Sequence, residues 1–188
     1  MSTPQDVVDK AIAAIRAALP ELREVAEHPG RFDLDEAKRI FAAVPGVRVA
    51  FLGVSHFERD PAGYLDAVCT FAAVIATNAS GQQAQSAASF AAAIACAIAV
   101  LADRNDWGLD GVDAAQVTRI DNLYGAAVDS FGLALWGVAW SQIVRLGEDA
   151  FFAEGVVPSR IYVGIHPATG AAHKANYEDV RTGEAPDA

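Results

Sequence analysis

The side chains that could do chemistry in this chain are few and scattered. The sequence contains no glycine-rich phosphate loop, no Gly-x-Ser-x-Gly elbow and no His-Glu-x-x-His motif. Ser55 and His56 are neighbours, but adjacent residues of a strand point to opposite faces and cannot form a dyad. No two of the four histidines have the spacing of zinc ligands: His28, His56, His166 and His173. We therefore predict no catalytic residue, no metal site and no cofactor.

The acidic segment from Asp103 to Asp113 is the one stretch with some similarity to a calcium-binding loop. Such a loop needs oxygen ligands at alternating positions and a bidentate glutamate at its end. Here Trp107 and Ala114 occupy the fifth and twelfth positions, and neither offers a side-chain oxygen. The segment is therefore interpreted as a solvated turn, and its carboxylates as turn and surface residues.

Charge and composition narrow the classes of function. The chain has 188 residues, 53% of them hydrophobic and 20% charged, as in a folded domain. Its formal net charge is −10, so it lacks the basic surface of a nucleic-acid binder and would be repelled by anionic lipid. Cys69 and Cys96 lie in apolar runs, where a thiol usually acts as a small hydrophobe.

Residues 84–102 are apolar and long enough to cross a bilayer, but they are rich in alanine and serine. The bulky residues lie on one stripe at spacings of four, four and three: Phe90, Ile94, Ile98 and Leu101. We predict a helix of a soluble protein, packed closely on a sheet, and no membrane contact.

The periodicity of the rest predicts the elements that must position any site. Thr3, Pro4 and Asp6 have the spacing of a capping box at the start of a helix. Further helices are predicted at residues 33–44 and 82–102, and strands at 47–51, 65–75, 117–124 and 131–146, with a loop at 56–63. The fold class is α+β, a mainly antiparallel four-stranded sheet packed against helices, over residues 1–147. Residues 148–188 are expected to form a C-terminal arm or extension, with a short strand at 161–165.

Aromatic residues are the main candidates for subunit contacts, since aromatics are enriched at interfaces. The candidates are Trp107, Trp136, Trp140, Phe151 and Phe152. For Trp136 and Trp140 the alternative is that they fill the core. The strand at 131–146 is apolar on both faces, which predicts two covers, the second being another subunit.

The order of elements resembles the family of Mu-like phage and prophage tail terminators, over about residues 5–147. The resemblance is carried chiefly by residues 45–52 and 132–144. It implies a tail-terminator-like subunit that forms a ring, a hexamer, at the neck-proximal end of the virion tail after assembly in the host cytoplasm. The implied partners are further copies of itself, the major tail tube protein and head–tail connector proteins, while genomic DNA only passes through the lumen. No cofactor and no catalytic residue is implied.

The acidic balance is consistent with that resemblance, because a negative lumen repels DNA and favours fast transit. The predicted lumen residues are Glu58, Asp60, Asp103 and Asp106, all on loops. Alternative interpretations are a head–tail connector or stopper, a tail tube subunit, or a small acidic bacterial binding protein. An enzyme is a further alternative, supported only by the acidic segment.

Overall fold

A computed structural model describes residues 2–30, 43–59, 64–78, 84–123, 132–147 and 161–180. The elements in these ranges are α1 (Pro4–Ala18), β1 (Glu24–Glu27), β2 (Gly46–Arg59), β3 (Leu65–Asn78), α2 (Ala84–Ala102), β4 (Gln116–Asn122), β5 (Leu133–Leu146), β6 (Tyr162–Val163), a 3₁₀ helix (Ala171–Asn176) and β7 (Glu178–Asp179). The helix predicted at 33–44 falls almost wholly outside the described residues.

Helix α1 begins as predicted, with a capping box. Thr3 Oγ1 accepts a hydrogen bond from the Asp6 amide at 3.3 Å, and Asp6 Oδ2 accepts one from the Thr3 amide at 2.7 Å. Hydrogen bonds from the Thr3 hydroxyl and amide lower the pKa of Asp6. One face of the helix is buried, and the opposite face carries Asp9, Lys10 and Arg16 in solvent. This is the division expected of an amphipathic surface helix.

The sheet has five strands and is mixed, so the prediction of four antiparallel strands is wrong in both respects. Its order is β1-β2-β3-β5-β4, with β1 parallel to β2 and the other pairs antiparallel. The missed strand, β1, has four residues, and only Val25 among them is buried. A strand this short has no detectable alternation. It is held instead by Arg48, which pairs with Glu24 at 2.8 Å, and by a hydrogen bond from Arg16 to the Val25 carbonyl.

Strand β2 runs to Arg59, so the loop predicted at 56–63 is wrong over residues 56–59. The pairing of β2 with β3 shifts register after Phe51 and again after Val54. Each shift adds a residue to β2, so strict alternation of apolar side chains ends at Phe51. The residues that pair opposite the buried side of β3 are then Val54 and Phe57, spaced by three.

The main core lies between the two helices and one face of the sheet. Strand β3 contributes the row predicted from its alternation, all fully buried: Ala67, Cys69, Phe71, Ala73 and Ile75. Helix α2 packs on β3, β4 and β5, and α1 packs on β1 and β2. In the described part of the chain, the helices therefore cover one face of the sheet.

Strand β5 contributes to both faces, as its sequence predicts. Trp136, Val138, Trp140 and Val144 belong to the main core or pack against it. On the opposite face a second buried cluster consists of Val74, Ala76, Leu133 and Leu135. Whether another subunit covers that face stays a prediction.

The chain divides into two compact units, Met1–Phe151 and Phe152–Ala188. In the second unit, β6 and β7 pair antiparallel, which places a strand inside the range predicted at 161–165. The Tyr177 ring lies where a side chain on Gly164 would be, 2.4 Å from an added Cβ, and its hydroxyl accepts a hydrogen bond from the Gly170 amide at 2.7 Å. Glycine is thus the residue that lets this small motif close.

Candidate functional site

The acidic segment after α2 uses its polar atoms to build its own turns. Asn105 Oδ1 accepts from the Trp107 amide at 2.8 Å, and Asp106 Oδ1 accepts from the Gly108 amide at 2.9 Å. Arg104 and Trp107 have φ near 60°, a left-handed conformation that these local hydrogen bonds support. Among the described residues, no group of three or more His, Cys, Asp and Glu side chains could hold a metal ion.

A buried glutamine fixes this segment to the sheet. Gln142 of β5 is 2% exposed, and its Oε1 accepts from Trp107 Nε1 at 2.9 Å. Its Nε2 donates to the carbonyls of Asn105 at 2.9 Å and Asp113 at 2.6 Å. Every polar atom of the amide is therefore occupied inside the protein, and the arrangement locks a loop in place without offering a reactive group.

The tryptophans named as interface candidates lie largely inside the subunit. Trp107 is 8% exposed and Trp140 fully buried, with ring centroids 6.2 Å apart, and Trp140 stacks on Phe71 at 5.7 Å. Trp136 is half-buried against the same core. Within the subunit, Trp136 and Trp140 therefore pack in or against the core. Trp107 points inward as well, although its neighbours in sequence are polar. Phe151 and Phe152 lie outside the described residues.

The candidate lumen carboxylates lie on different elements. Glu58 is exposed near the end of β2, while Asp103 and Asp106 are exposed on the segment after α2. Asp60 lies outside the described residues. The remaining polar candidates are used locally: Ser55 Oγ donates to the Val68 carbonyl at 3.1 Å, and His56 Nε2 lies 3.6 Å from Glu58 Oε1.

Two surface features do not correspond to any chemical motif in the sequence. Asp66 and Arg145 form a two-pronged ion pair across β3 and β5, at 2.8 and 2.9 Å, with the guanidinium 4.6 Å above the Tyr64 ring. The hydrogen bonds from Arg145 lower the pKa of Asp66. The second is the solvent side of α2, which is exposed and uncharged. The sequence indicates this feature through a run of 19 residues, Ala84–Ala102, that contains no charged side chain.

Helix α2 also includes the one described stretch, Gln85–Ala102, that is long and apolar enough to cross a membrane. Length and composition alone support that possibility. Among the bulky residues predicted to form one stripe, Ile94 and Ile98 are buried against the sheet, while Phe90 is 43% exposed. One face of the helix packs on β3, β4 and β5, and its opposite side is exposed.

The family model described as Bacteriophage Mu, Gp37 matches residues 5–143. Two solved structures share partial similarity, each at 15% identity. One, titled as the virion of a native gene transfer agent particle, has a TM-score of 0.49 and covers 76% of this chain and 95% of that one. The other, titled as the sheath/tube terminator of an extracellular contractile injection system in its extended state, has a TM-score of 0.33 and covers 92% and 67%. No curated protein matches.

Proposed function

The chain belongs to the Bacteriophage Mu, Gp37 family of phage tail-associated structural proteins, and from that membership we propose that it is the tail terminator. In this role copies of the chain close into a ring, a hexamer, on the neck-proximal end of the tail tube. The ring stops polymerisation of the tube and offers the head–tail connector a surface on which to dock.

The observation that carries the proposal is the extent of the family match. Residues 5–143 include nearly all of α1, the whole of α2 and nearly all of the five-stranded sheet. A role that depends on the whole domain surface, as ring assembly does, is consistent with a match of this kind. The polar groups of the acidic segment are consistent with it as well, since they stabilise the subunit's own loop.

Termination follows from geometry. Identical subunits joined by head-to-tail contacts close after a fixed rotation, so the ring limits its own growth. One surface of the ring must reproduce the contact that the tube offers to its next layer, and the opposite surface must not. Capping therefore requires that the tube components bind one surface of the ring much more tightly than the opposite surface. We propose Glu58, Asp60, Asp103 and Asp106 as lumen residues, and residues 148–188 as an arm directed to a neighbouring subunit.

Electron microscopy of the purified protein, alone and mixed with tail tubes, tests the proposal. We expect single rings in isolation and rings seated on one end of each tube. Phage that lack the protein should have overgrown tails. Tails of normal length would instead indicate a connector or stopper, and long cylinders formed by the protein alone would indicate a tube subunit. Monomers or dimers that ignore tube ends would contradict the proposal and favour a small acidic binding protein.

A further inference from the structure

The solvent side of α2 lacks the charges that a solvated helix normally carries. We define the outer face of α2 as Phe90, Ala93, Cys96, Ala97 and Val100, all exposed, with Val100 at 80%. Helix α1 of the same chain presents charged side chains to solvent, so the difference belongs to α2 and not to the protein's overall composition. The exposed polar residues of α2, Gln85, Ser86 and Ser89, all precede Phe90, and from Phe90 to Ala102 the helix is apolar on every side. A helix that is apolar all round is normally buried on all sides. The outer face of α2 is therefore built to be covered.

The second unit carries an apolar surface of its own. Ile161, Val163 and Ile165 follow one another at the spacing of two that places side chains on one side of an extended chain. They are 61%, 50% and 78% exposed, and Val180 is 63% exposed. We call these four residues the C-terminal row. A two-stranded hairpin is marginally stable by itself, and the β6–β7 pairing involves only two residues of each strand. This unit, too, needs a surface to pack against.

We propose that the C-terminal row of one copy docks on the outer face of α2 of a neighbouring copy. The inference rests on the proposed ring, and it names the contact that joins one subunit to the next. The outer face of α2 carries no charge. The C-terminal row is apolar, with one carboxylate beside it, because Glu178 pairs opposite Val163 on the same face of the hairpin. Ala93 and Ala97 place only methyl groups between the larger Phe90 and Val100, which leaves room for branched side chains to approach the helix.

Chain length and symmetry support a contact between copies. The 13 residues from 148 to 160 can span at most about 47 Å when fully extended. A domain of this size has a radius of gyration of about 15 Å, so that span suffices to reach an adjacent subunit. Each copy gives one C-terminal row and receives another, which is the head-to-tail arrangement that closes into a ring.

The two cysteines of the chain provide the first test. Cys96 is exposed in the middle of the outer face of α2, whereas Cys69 is fully buried and burial raises its pKa to about 11, so a maleimide should modify Cys96 alone. The natural protein is mixed with a C96S/V163C variant and treated with a short bismaleimide. We expect cross-links between the two chains, in amounts that depend on mixing and on ring formation.

The same reagent excludes a contact within one chain. In a V163C variant that keeps Cys96, head-to-tail docking joins successive subunits into a ladder of linked chains. A product at the mass of one chain alone, or rings in which Cys96 reacts as freely as in dilute protein, would overturn the inference and leave the proposed ring intact. Failure of the natural protein to form rings would overturn both.

Matched charge variants give the second test. Ala93→Glu places a carboxylate at the centre of the outer face of α2, and Ala13→Glu makes the same change at an exposed position of α1. We expect Ala93→Glu to raise the protein concentration needed for ring assembly about tenfold or more, because the contact would bury an unpaired charge. Ala13→Glu should assemble normally. Ile165→Glu should reproduce the defect from the other side, and equal assembly of all variants would refute the contact.

Discussion

At the scale of single residues, Gln142 joins the sheet to the segment after α2 by three hydrogen bonds. Gln142→Leu would remove the partner of the Trp107 indole N–H and of the Asp113 carbonyl, while the Asn105 carbonyl would keep its hydrogen bond from the Ala115 amide. We expect a loss of about 2–4 kcal/mol in the free energy of unfolding, measured by urea denaturation. Gln116→Leu at an exposed position of β4 is the matched control and should stay within about 0.5 kcal/mol of the natural protein. Equal effects of the two changes would refute the role of Gln142.

The Asp66–Arg145 pair predicts a pH dependence at the same scale. The pKa of Asp66 is lowered in the folded protein from its ordinary value of 3.8, chiefly by hydrogen bonds from Arg145. The stabilisation is therefore complete above pH 3.8 and is lost as pH falls through the lower, folded pKa. Asp66→Asn should destabilise the protein by about 0.5–1.5 kcal/mol at pH 7, a difference that shrinks at low pH. Asp121→Asn, in the exposed pair with Arg119, should show little effect. A difference that is independent of pH would contradict this account.

At the scale of elements, the sequence predicts the elements that have a regular local pattern and misses those that lack one. The regular alternation of β3 and the capping box of α1 are confirmed, because each is a local pattern with one physical cause. The two register shifts of β2 and the four-residue β1 were missed. Both depend on partners distant in sequence, such as the buried Arg48 that pairs with Glu24. The inward position of Trp107 was missed for the same reason, since its partner Gln142 lies on another strand.

Helix α2 shows a further limit of sequence patterns. Its buried stripe was predicted from bulky residues, but Phe90 of that stripe is 43% exposed. Small apolar residues on the other side carry no periodic signal, because alanine is compatible with both a core and an exposed position. What distinguishes this helix is the absence of charge along its whole length. That feature becomes informative only when the structure shows which side the sheet covers.

At the scale of the whole molecule, net charge predicts how the proposed ring treats DNA. If Glu58 and Asp103 line the lumen, Glu58→Lys with Asp103→Lys should slow DNA ejection about two- to tenfold at low salt, because lysines attract the phosphates. The effect should fade at high salt as the charges are screened. Asp9→Lys on α1 is the control. The measurement is the ejection rate against ionic strength, and equal rates at low salt would rule out these lumen residues.

The strand order has a consequence for how the protein is made. The central strand β3 pairs along its whole length with β5, whose residues emerge from the ribosome only after α2 and β4. Until residue 146 has been synthesised, the backbone edge of the apolar strand β3 that will pair with β5 lacks its full partner. Pairing of strands so far apart in sequence is slow, and an unpaired edge invites association with other chains. The nascent subunit is therefore most prone to aggregate during translation of the residues between β3 and β5.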